Sequence, residues 1–427
     1  MLMNRGPRVA SDCGGLHSWL QAPAPMGPEL QEPGGAVRGV ALSAWLYHAP
    51  VRQWVTRVLP ALQLTRVTGA FAAVANVWFV VLWSRVHVEE PATVAIKGGP
   101  LWLLLAGAAA NALGLFTFAT ALNDILDWRR DKALFPERPL PAGRMSMDQA
   151  VTLAVATFGL AVLGATVLGM SSVLLTLTVG GAILFFNATG KHIPAVGLVL
   201  LGLIYAGQMV VPNLNLRFVW PVWVVMTHAL AVGAVSHLVA NKSPGVSVRA
   251  SAFAGAGWLF WSAVILGVGY WRAGENGAAG VEGAVGPAAL DAAGVAASAG
   301  AGAAGGTTGG AAGAMGAGGA GSEAGHAAFW PGWVSPWAAA YVLALALLFA
   351  LLVYRRVRTH GRGRRAADKI ARYGALWLAL YACAFMVAER LWAESIILGV
   401  LTLTGFLGMT VLREVFVLIE HPVSYRR

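Results

Sequence analysis

The sequence predicts an all-α, polytopic transmembrane helical bundle of about 9–10 spans. Three observations carry that prediction: scarce charge, repeated long apolar runs, and basic residues confined to alternate loops. The 427 residues are 57% hydrophobic and only 11% charged, with a mean hydropathy of +0.66. Soluble domains carry charge on about 25% of residues, so this chain lacks the polar surface that water requires. Lipid as the solvent explains the deficit.

Residues 1–60 form an N-terminal segment, rich in Gly and Pro before residue 40 and then amphipathic (Leu42, Trp45, Leu46, Val51, Trp54). Low hydrophobic content predicts disorder for the first part and a short surface helix for the second. Arg5, Arg8, Pro23, Pro25, Pro28 and Pro33 interrupt any continuous apolar core, so no cleavable signal peptide is expected. A transmembrane core follows over 61–271, with spans at 64–84, 101–122, 148–169, 172–188, 193–211, 219–240 and 250–271. Each approaches the roughly 20 apolar residues a helix needs to cross hydrocarbon. Residues 272–330 hold a Gly/Ala tract, which buries too little apolar area to offset its ordering entropy and reads as a flexible loop. C-terminal spans at 335–354, 372–388 and 392–418 complete the chain over 331–427, joined by a basic loop at 355–372.

Loops after even-numbered spans hold Arg129, Arg130, Lys132, Arg138 and Arg144, then Lys191, then Lys242 and Arg249, then the basic loop. Loops after odd spans hold little beyond Arg85, Lys97, Arg217, Arg272 and Arg390, with Glu89 and Glu90 among them. The positive-inside rule makes the even side cytoplasmic. An integral, multi-pass protein of the cytoplasmic membrane is expected, with both termini and the acidic motif described next on the cytoplasmic side. The net charge of +11 then faces anionic headgroups, and nucleic acid is not an expected partner. Cys13 and Cys383 lie far apart in unlike contexts and supply neither a disulfide framework nor a thiolate metal site.

The most informative run is Asn123-Asp124-Ile-Leu-Asp127-Trp-Arg-Arg-Asp131, at the end of the second span. On one helix, Asp124, Asp127 and Asp131 point within about 60° of each other. Carboxylates this close repel, and near lipid they are costly unless a cation neutralises them. Hard aspartate oxygens suit Mg²⁺, which takes substrate phosphates as further ligands. The same residues could instead mark a solvated helix end. The turn Arg138-Pro-Leu-Pro-Ala-Gly favours the platform, because it returns a guanidinium toward the carboxylates, where it would pair with phosphate.

Residue types, spacing and position at the end of the second span resemble the first aspartate-rich motif of the UbiA superfamily of membrane prenyltransferases, with its basic, proline-rich trailing loop. The resemblance covers about 64–270. It implies a UbiA-like fold of about nine helices around a central cavity. It further implies a transferase of alkyl or aryl groups other than methyl, moving an isoprenyl group from its diphosphate to an aromatic or other polar acceptor in a Mg²⁺-dependent reaction. Asp124, Asp127 and Asp131 would hold the metal. Asn123, Arg138, Lys191, Lys242 and Arg66 would hold the diphosphate, and Asn123 would orient Asp127 or a ligand water. Phe116, Phe118, Phe185 and Phe186 are candidates to flank the tail. Lys191 follows Asn187, where the family has a tyrosine.

The family's second acidic motif falls on His237-x-x-x-Asn241-Lys242, so its spacing is kept and both carboxylates are lost. Neutral imidazole and amide are poor substitutes as Mg²⁺ ligands. One reading is a one-metal enzyme in which Lys242, with His237 and Arg249, supplies the missing positive charge. The alternative is a non-catalytic UbiA-like membrane protein that binds or transports an isoprenoid or lipid. The acceptor is not identifiable from the sequence.

Overall fold

The computed structural model describes residues 59–66, 69–242, 244–284 and 330–420, and all secondary structure among them is helical. The expected N-terminal surface helix and the Gly/Ala tract from 285 onward lie outside the described residues. The chain enters the bundle through α1 (Leu59–Thr65) and α2 (Ala70–Val86), bent 58° from one another. Between them Arg66 adopts a positive φ of 45°. A short helix, α3 (Val94–Gly98), precedes α4 (Leu101–Leu126), which ends at Asp127; α5 (Trp128–Leu134) continues from there. Then come α6 (Met147–Thr166), α7 (Met170–Ala188), a 3₁₀ turn at Gly190–His192, α8 (Pro194–Met209) and α9 (Trp220–Val239). The series closes with α10 (Val248–Ala284), α11 (Trp337–His360), α12 (Arg364–Ala388) and α13 (Trp392–Glu420).

Every predicted span has its helix. Eight helices among the described residues are long and apolar enough to cross a membrane, nine if the bent α1–α2 pair counts as one span. The shorter α8 falls below that length. Helix α11 runs on to His360, so residues 355–360 of the expected basic loop are helical, and two further boundaries differ from expectation. Helix α10 runs on to Ala284 rather than stopping at Arg272, whose guanidinium bonds the Leu214 and Leu216 carbonyls alongside the helix instead of ending it. Helix α12 begins at Arg364, so two turns read as loop are helical.

Helices α2, α4, α7, α8, α9 and α12 pack each on the next, and α12 returns to α2. Helices α6, α10, α11 and α13 lie outside this ring. Their large apolar side chains, such as Leu163 on α6, Phe253 on α10, Leu347 on α11 and Val400 on α13, are exposed in the protein and suit a lipid surround. The α4–α6 contact is a backbone approach. A Cβ on Gly114 would meet the Thr157 carbonyl oxygen at 2.5 Å, and one on Gly164 would meet the Asn111 nitrogen at 2.5 Å. Asn111 Nδ2 donates to the Ala161 carbonyl (2.9 Å) and to Thr176 Oγ1 (2.8 Å), tying α4 to α6 and α7 with the polar bonds that lipid-embedded helices use in place of a hydrophobic drive.

The two ends of the ring differ. At one, an aromatic cluster fills the interior: Trp83 stacks on Phe218 at 4.9 Å, and Phe218 meets Phe385 edge-on at 5.6 Å. Beside it the buried Glu90 carboxylate accepts from Trp83 Nε1 and from the Arg217 and Phe218 backbone N–H groups. The opposite end, where the loops after even-numbered spans gather, holds a cavity.

Candidate functional site: a charged cavity at one end of the bundle

The cavity has a volume of about 530 Å³ and is lined by one stripe from each of four ring segments. Asn123, Asp127, Asp131 and Leu134 come from α4–α5, at steps of three and four. Gly197, Leu198, Leu201 and Tyr205 come from α8 and Ala229, Val232, Ser236 and His237 from α9. Arg364, Asp368, Ala371, Ala375 and Leu378 form the α12 stripe. Residues three and four apart share a helix face, so polar groups at each helix end and apolar groups deeper in the same stripe give the cavity a charged mouth and a hydrocarbon interior.

The structure divides the acidic run. Asp127 is both the C-cap of α4 and the N-cap of α5, and Asn123, Asp127 and Asp131 face the cavity. Asp124 is not among the lining residues. Only 5% exposed, it accepts from Arg66 Nη2 at 2.9 Å, with Arg138 Nη1 at 3.6 Å. The positive φ at Arg66, which turns the chain between α1 and α2, accompanies this pairing. Asp131, 3% exposed, is paired with Arg138. Burial pushes its carboxyl above the usual range and the charges of Asp124 and Asp127 add to that, against the lowering by Arg138. Lys191 Nζ donates to Asp127 Oδ2 (2.8 Å) and Asn123 Oδ1 (3.1 Å), and Asn123 Nδ2 donates to Asp124 Oδ1 (3.2 Å). Asn123 thus bonds Asp124 rather than Asp127.

The remaining expected residues distribute unevenly. Lys242 and His237 line the cavity, and His237 Nε2 lies 2.9 Å from the Pro244 carbonyl. Asn241 does not line it; its φ of 47° ends α9 in the left-handed region that asparagine tolerates. Arg249 is exposed outside the lining. Asn187 is buried and donates to its own helix at the Ile183 carbonyl (3.0 Å). Of the four phenylalanines only Phe186 lines the cavity; Phe118 packs at a tilt on Phe158 with ring centres 4.9 Å apart, Phe116 packs against Gly69, and Phe185 is exposed on the outer face.

Sequence reasoning missed Arg364 and Asp368. The Arg138 and Arg364 guanidiniums lie over the ring of Phe135 at 4.4 and 4.9 Å, so two cations from opposite sides of the chain share one aromatic at the mouth. Neither stands out locally in the sequence; only the four-residue step from Arg364 to Asp368, once α12 is known to begin at Arg364, joins them to its apolar stripe. Altogether Arg66, Arg130, Arg138, Lys191, Lys242 and Arg364 line the cavity against three carboxylates, Asp127, Asp131 and Asp368. The surplus is positive, in a site whose depth is apolar.

Fold and site define a multi-spanning helical membrane protein with a cation-rich cavity at one end of its bundle. No protein-family model matches the chain, and no curated protein does. Among solved structures it is similar to a UbiA homologue from Archaeoglobus fulgidus bound to DMAPP and Mg²⁺, with a TM-score of 0.41 and 12% identity over 77% of this chain and 99% of that one. An apo UbiA homologue from Aeropyrum pernix K1 gives 0.40 and 15%, over 74% and 96%. A digeranylgeranylglyceryl phosphate synthase gives 0.41 and 12%, over 78% and 99%.

Proposed function

We propose that the chain is a UbiA-type membrane prenyltransferase that binds an isoprenyl diphosphate in the charged cavity and transfers its isoprenyl group to an acceptor. The observation that carries this reading is the cavity itself: six cations set against three carboxylates at the mouth, leading between membrane helices into an apolar interior. An anionic head on a hydrocarbon chain is the ligand that fits both halves.

Among the described residues no three His, Cys, Asp or Glu side chains converge to hold a metal ion by themselves. Mg²⁺ does not need such a cage, since it binds through one or two carboxylates and completes its shell with water and substrate phosphate. Asp127 and Asp131 offer two hard carboxylates on the cavity wall, each held by a basic side chain, Lys191 and Arg138, that a bound cation and diphosphate could draw away. The donor set fits. Asp127 and Asp131, beside the Asn123 amide, are the holding residues, while Asp124 keeps Arg66 and Arg138 in place. Mg²⁺ bound there would neutralise charge building on the departing diphosphate.

In the transfer, the bond between the isoprenyl C1 and its diphosphate oxygen breaks and its electron pair leaves with the diphosphate. The acceptor's nucleophilic atom bonds to C1, and its proton passes to the released diphosphate. Arg138, Lys191 and Arg364 bind the head and compensate its growing charge. Leu198, Leu201 and Leu378 exclude water from the cationic carbon. Lys242, next to the lost second motif, and Arg364 line the same cavity as His237, and their charges take over part of the work of a second metal.

The loss of carboxylates at His237 and Asn241 favours the second reading, a protein that binds such a ligand without turning it over. One experiment separates the two. Purified protein in lipid vesicles is incubated with radiolabelled DMAPP or GPP and extracted membrane lipids, with and without Mg²⁺. A labelled organic product that needs Mg²⁺, and falls roughly 100-fold or more in Asp127→Ala and Asp131→Ala, is the expected result. Saturable binding without product establishes the binder, and no binding removes both readings.

A further inference from the structure

We propose that a second cavity, between α9, α11 and α12, seats the apolar chain of the acceptor, a lipid whose polar end meets the charged cavity at His228. The inference rests on the transfer reading above. This cavity has a volume of about 610 Å³, within the range of pockets that enclose small ligands. Its walls include Val235 on α9, Val342, Ala346 and Val353 on α11, and Ile370 and Phe385 on α12.

The polar groups around it are spoken for. Trp223 Nε1 donates to Ser262 Oγ, Trp330 Nε1 to the Val334 carbonyl, and Thr227 Oγ1 accepts from Trp258 Nε1, each at 2.9–3.0 Å. Tyr354 Oη accepts from Arg358 at 2.9 Å. His228 Nε2 lies 2.9 Å from the Gly374 carbonyl, and its Nδ1 lies 3.1 Å from Tyr381 Oη. Since a carbonyl only accepts, Nε2 carries the ring proton and Tyr381 donates to Nδ1. Water entering such a space would find few of the partners it needs, whereas hydrocarbon would replace it at no polar cost.

Two features give the cavity a direction. Helix α11 packs along α12 without comparable packing on α9, which leaves a lateral slot between two membrane-spanning helices. At the inner end, His228 and Val232 line both cavities. A chain lying in the slot therefore points its end at the diphosphate site. The isoprenoid has apolar depth of its own along α8, so the space beyond His228 is left for the second substrate.

The test uses the full chain in phosphatidylcholine vesicles, photolabelled with a diazirine-bearing long-chain alcohol or a diazirine phosphatidylcholine. The alcohol should mark peptides of α9 and α11 around Val235 and Ala346. Ala346→Trp, and independently Ala231→Phe on the α9 wall, should each lower that labelling roughly tenfold by displacing chain methylenes. Binding of radiolabelled GPP with Mg²⁺ should stay at the wild-type level in both. Labelling that persists in both variants overturns the proposal, as does equal marking by phosphatidylcholine that the free alcohol does not displace. Failure of wild-type protein to bind GPP would instead remove the transfer reading beneath it.

Discussion

Asn123, Asp127 and Asp131 step along one face four residues at a time, and that step decides which members of the acidic run meet a ligand. Asp124 sits about 100° away from Asn123 on a helix and is taken by Arg66. Asp124→Asn should therefore act indirectly: it releases Arg66 and Arg138, raises the KM for diphosphate and lowers kcat less than Asp127→Ala does, as steady-state kinetics would show. Arg364 is the residue that separates this structure from the sequence reading. Arg364→Ala should weaken diphosphate binding roughly 10- to 100-fold, the worth of a charge-assisted hydrogen bond, whereas Arg249→Ala should leave it unchanged. Equal effects of the two in a binding titration would remove Arg364 from the site. The Asp-rich run was legible because its carboxylates are anomalous at a membrane boundary; Arg364 was not, because one more arginine in a basic loop carries no local anomaly. At the far end, Glu90 makes a separate prediction. Burial lifts its carboxyl above the ordinary range despite three N–H donors. A group with a higher pKa folded than unfolded binds more protons in the folded state, so its contribution falls as pH rises from the ordinary glutamate value through the raised one. Glu90→Gln turns an amide NH₂ toward N–H donors and should cost about 1–3 kcal/mol at the acid end of that window. The gap from wild type should narrow as pH rises, measured as apparent Tm in detergent, and a gap that widens would reverse the sign argued here.

Helices α4 and α6 show what an element contributes beyond its apolar length. Their glycines carry the contact, with no space for a Cβ against facing backbone. Gly114→Ala should destabilise the bundle by about 1–3 kcal/mol through overpacking, whereas Gly159→Ala on α6, where a Cβ meets nothing within 4 Å, should be neutral or slightly stabilising. Thermal unfolding in detergent checks both. The positions of the long apolar helices were readable from hydropathy, because crossing hydrocarbon demands length whatever the neighbours do. The helix ends were less so. Helix α12 starts at Arg364 although Arg364, Arg365, Lys369 and Arg372 make its first turns hydrophilic, since those turns rise out of the apolar layer and need no hydropathy to be helical. The same blindness hid the α12 stripe that lines the cavity. Which helices are neighbours is also absent from hydropathy: α11 and α13 are as apolar as the ring helices, yet only packing places them outside.

Across the whole molecule the two ends treat cations differently. At the aromatic end each of several is bound to backbone: Arg85 to the Ile96 and Gly99 carbonyls, Lys97 to His87, Arg217 to Glu89 and Arg272 to Leu214 and Leu216. Those residues finish helix ends and loops. At the cavity end the cations gather at the mouth and along the basic turns of α12, in excess of the carboxylates. The loop alternation read from the sequence thus corresponds to two chemically distinct ends, and the positive-inside rule predicts that the cavity end faces the cytoplasm. That assignment also suits the proposed substrate, since a water-borne diphosphate would enter from the side where its mouth opens. The prediction is tested with Cys13 and Cys383 replaced by serine and alanine and a single cysteine returned at an exposed site. Ser146→Cys lies at the N-cap of α6, on the cavity end, and Asn215→Cys lies in the loop before α9, on the aromatic end. A membrane-impermeant maleimide should label Asn215→Cys in intact cells and Ser146→Cys only after permeabilisation. The opposite pattern would turn the cavity to the outside, where a cytoplasmic diphosphate could not reach it.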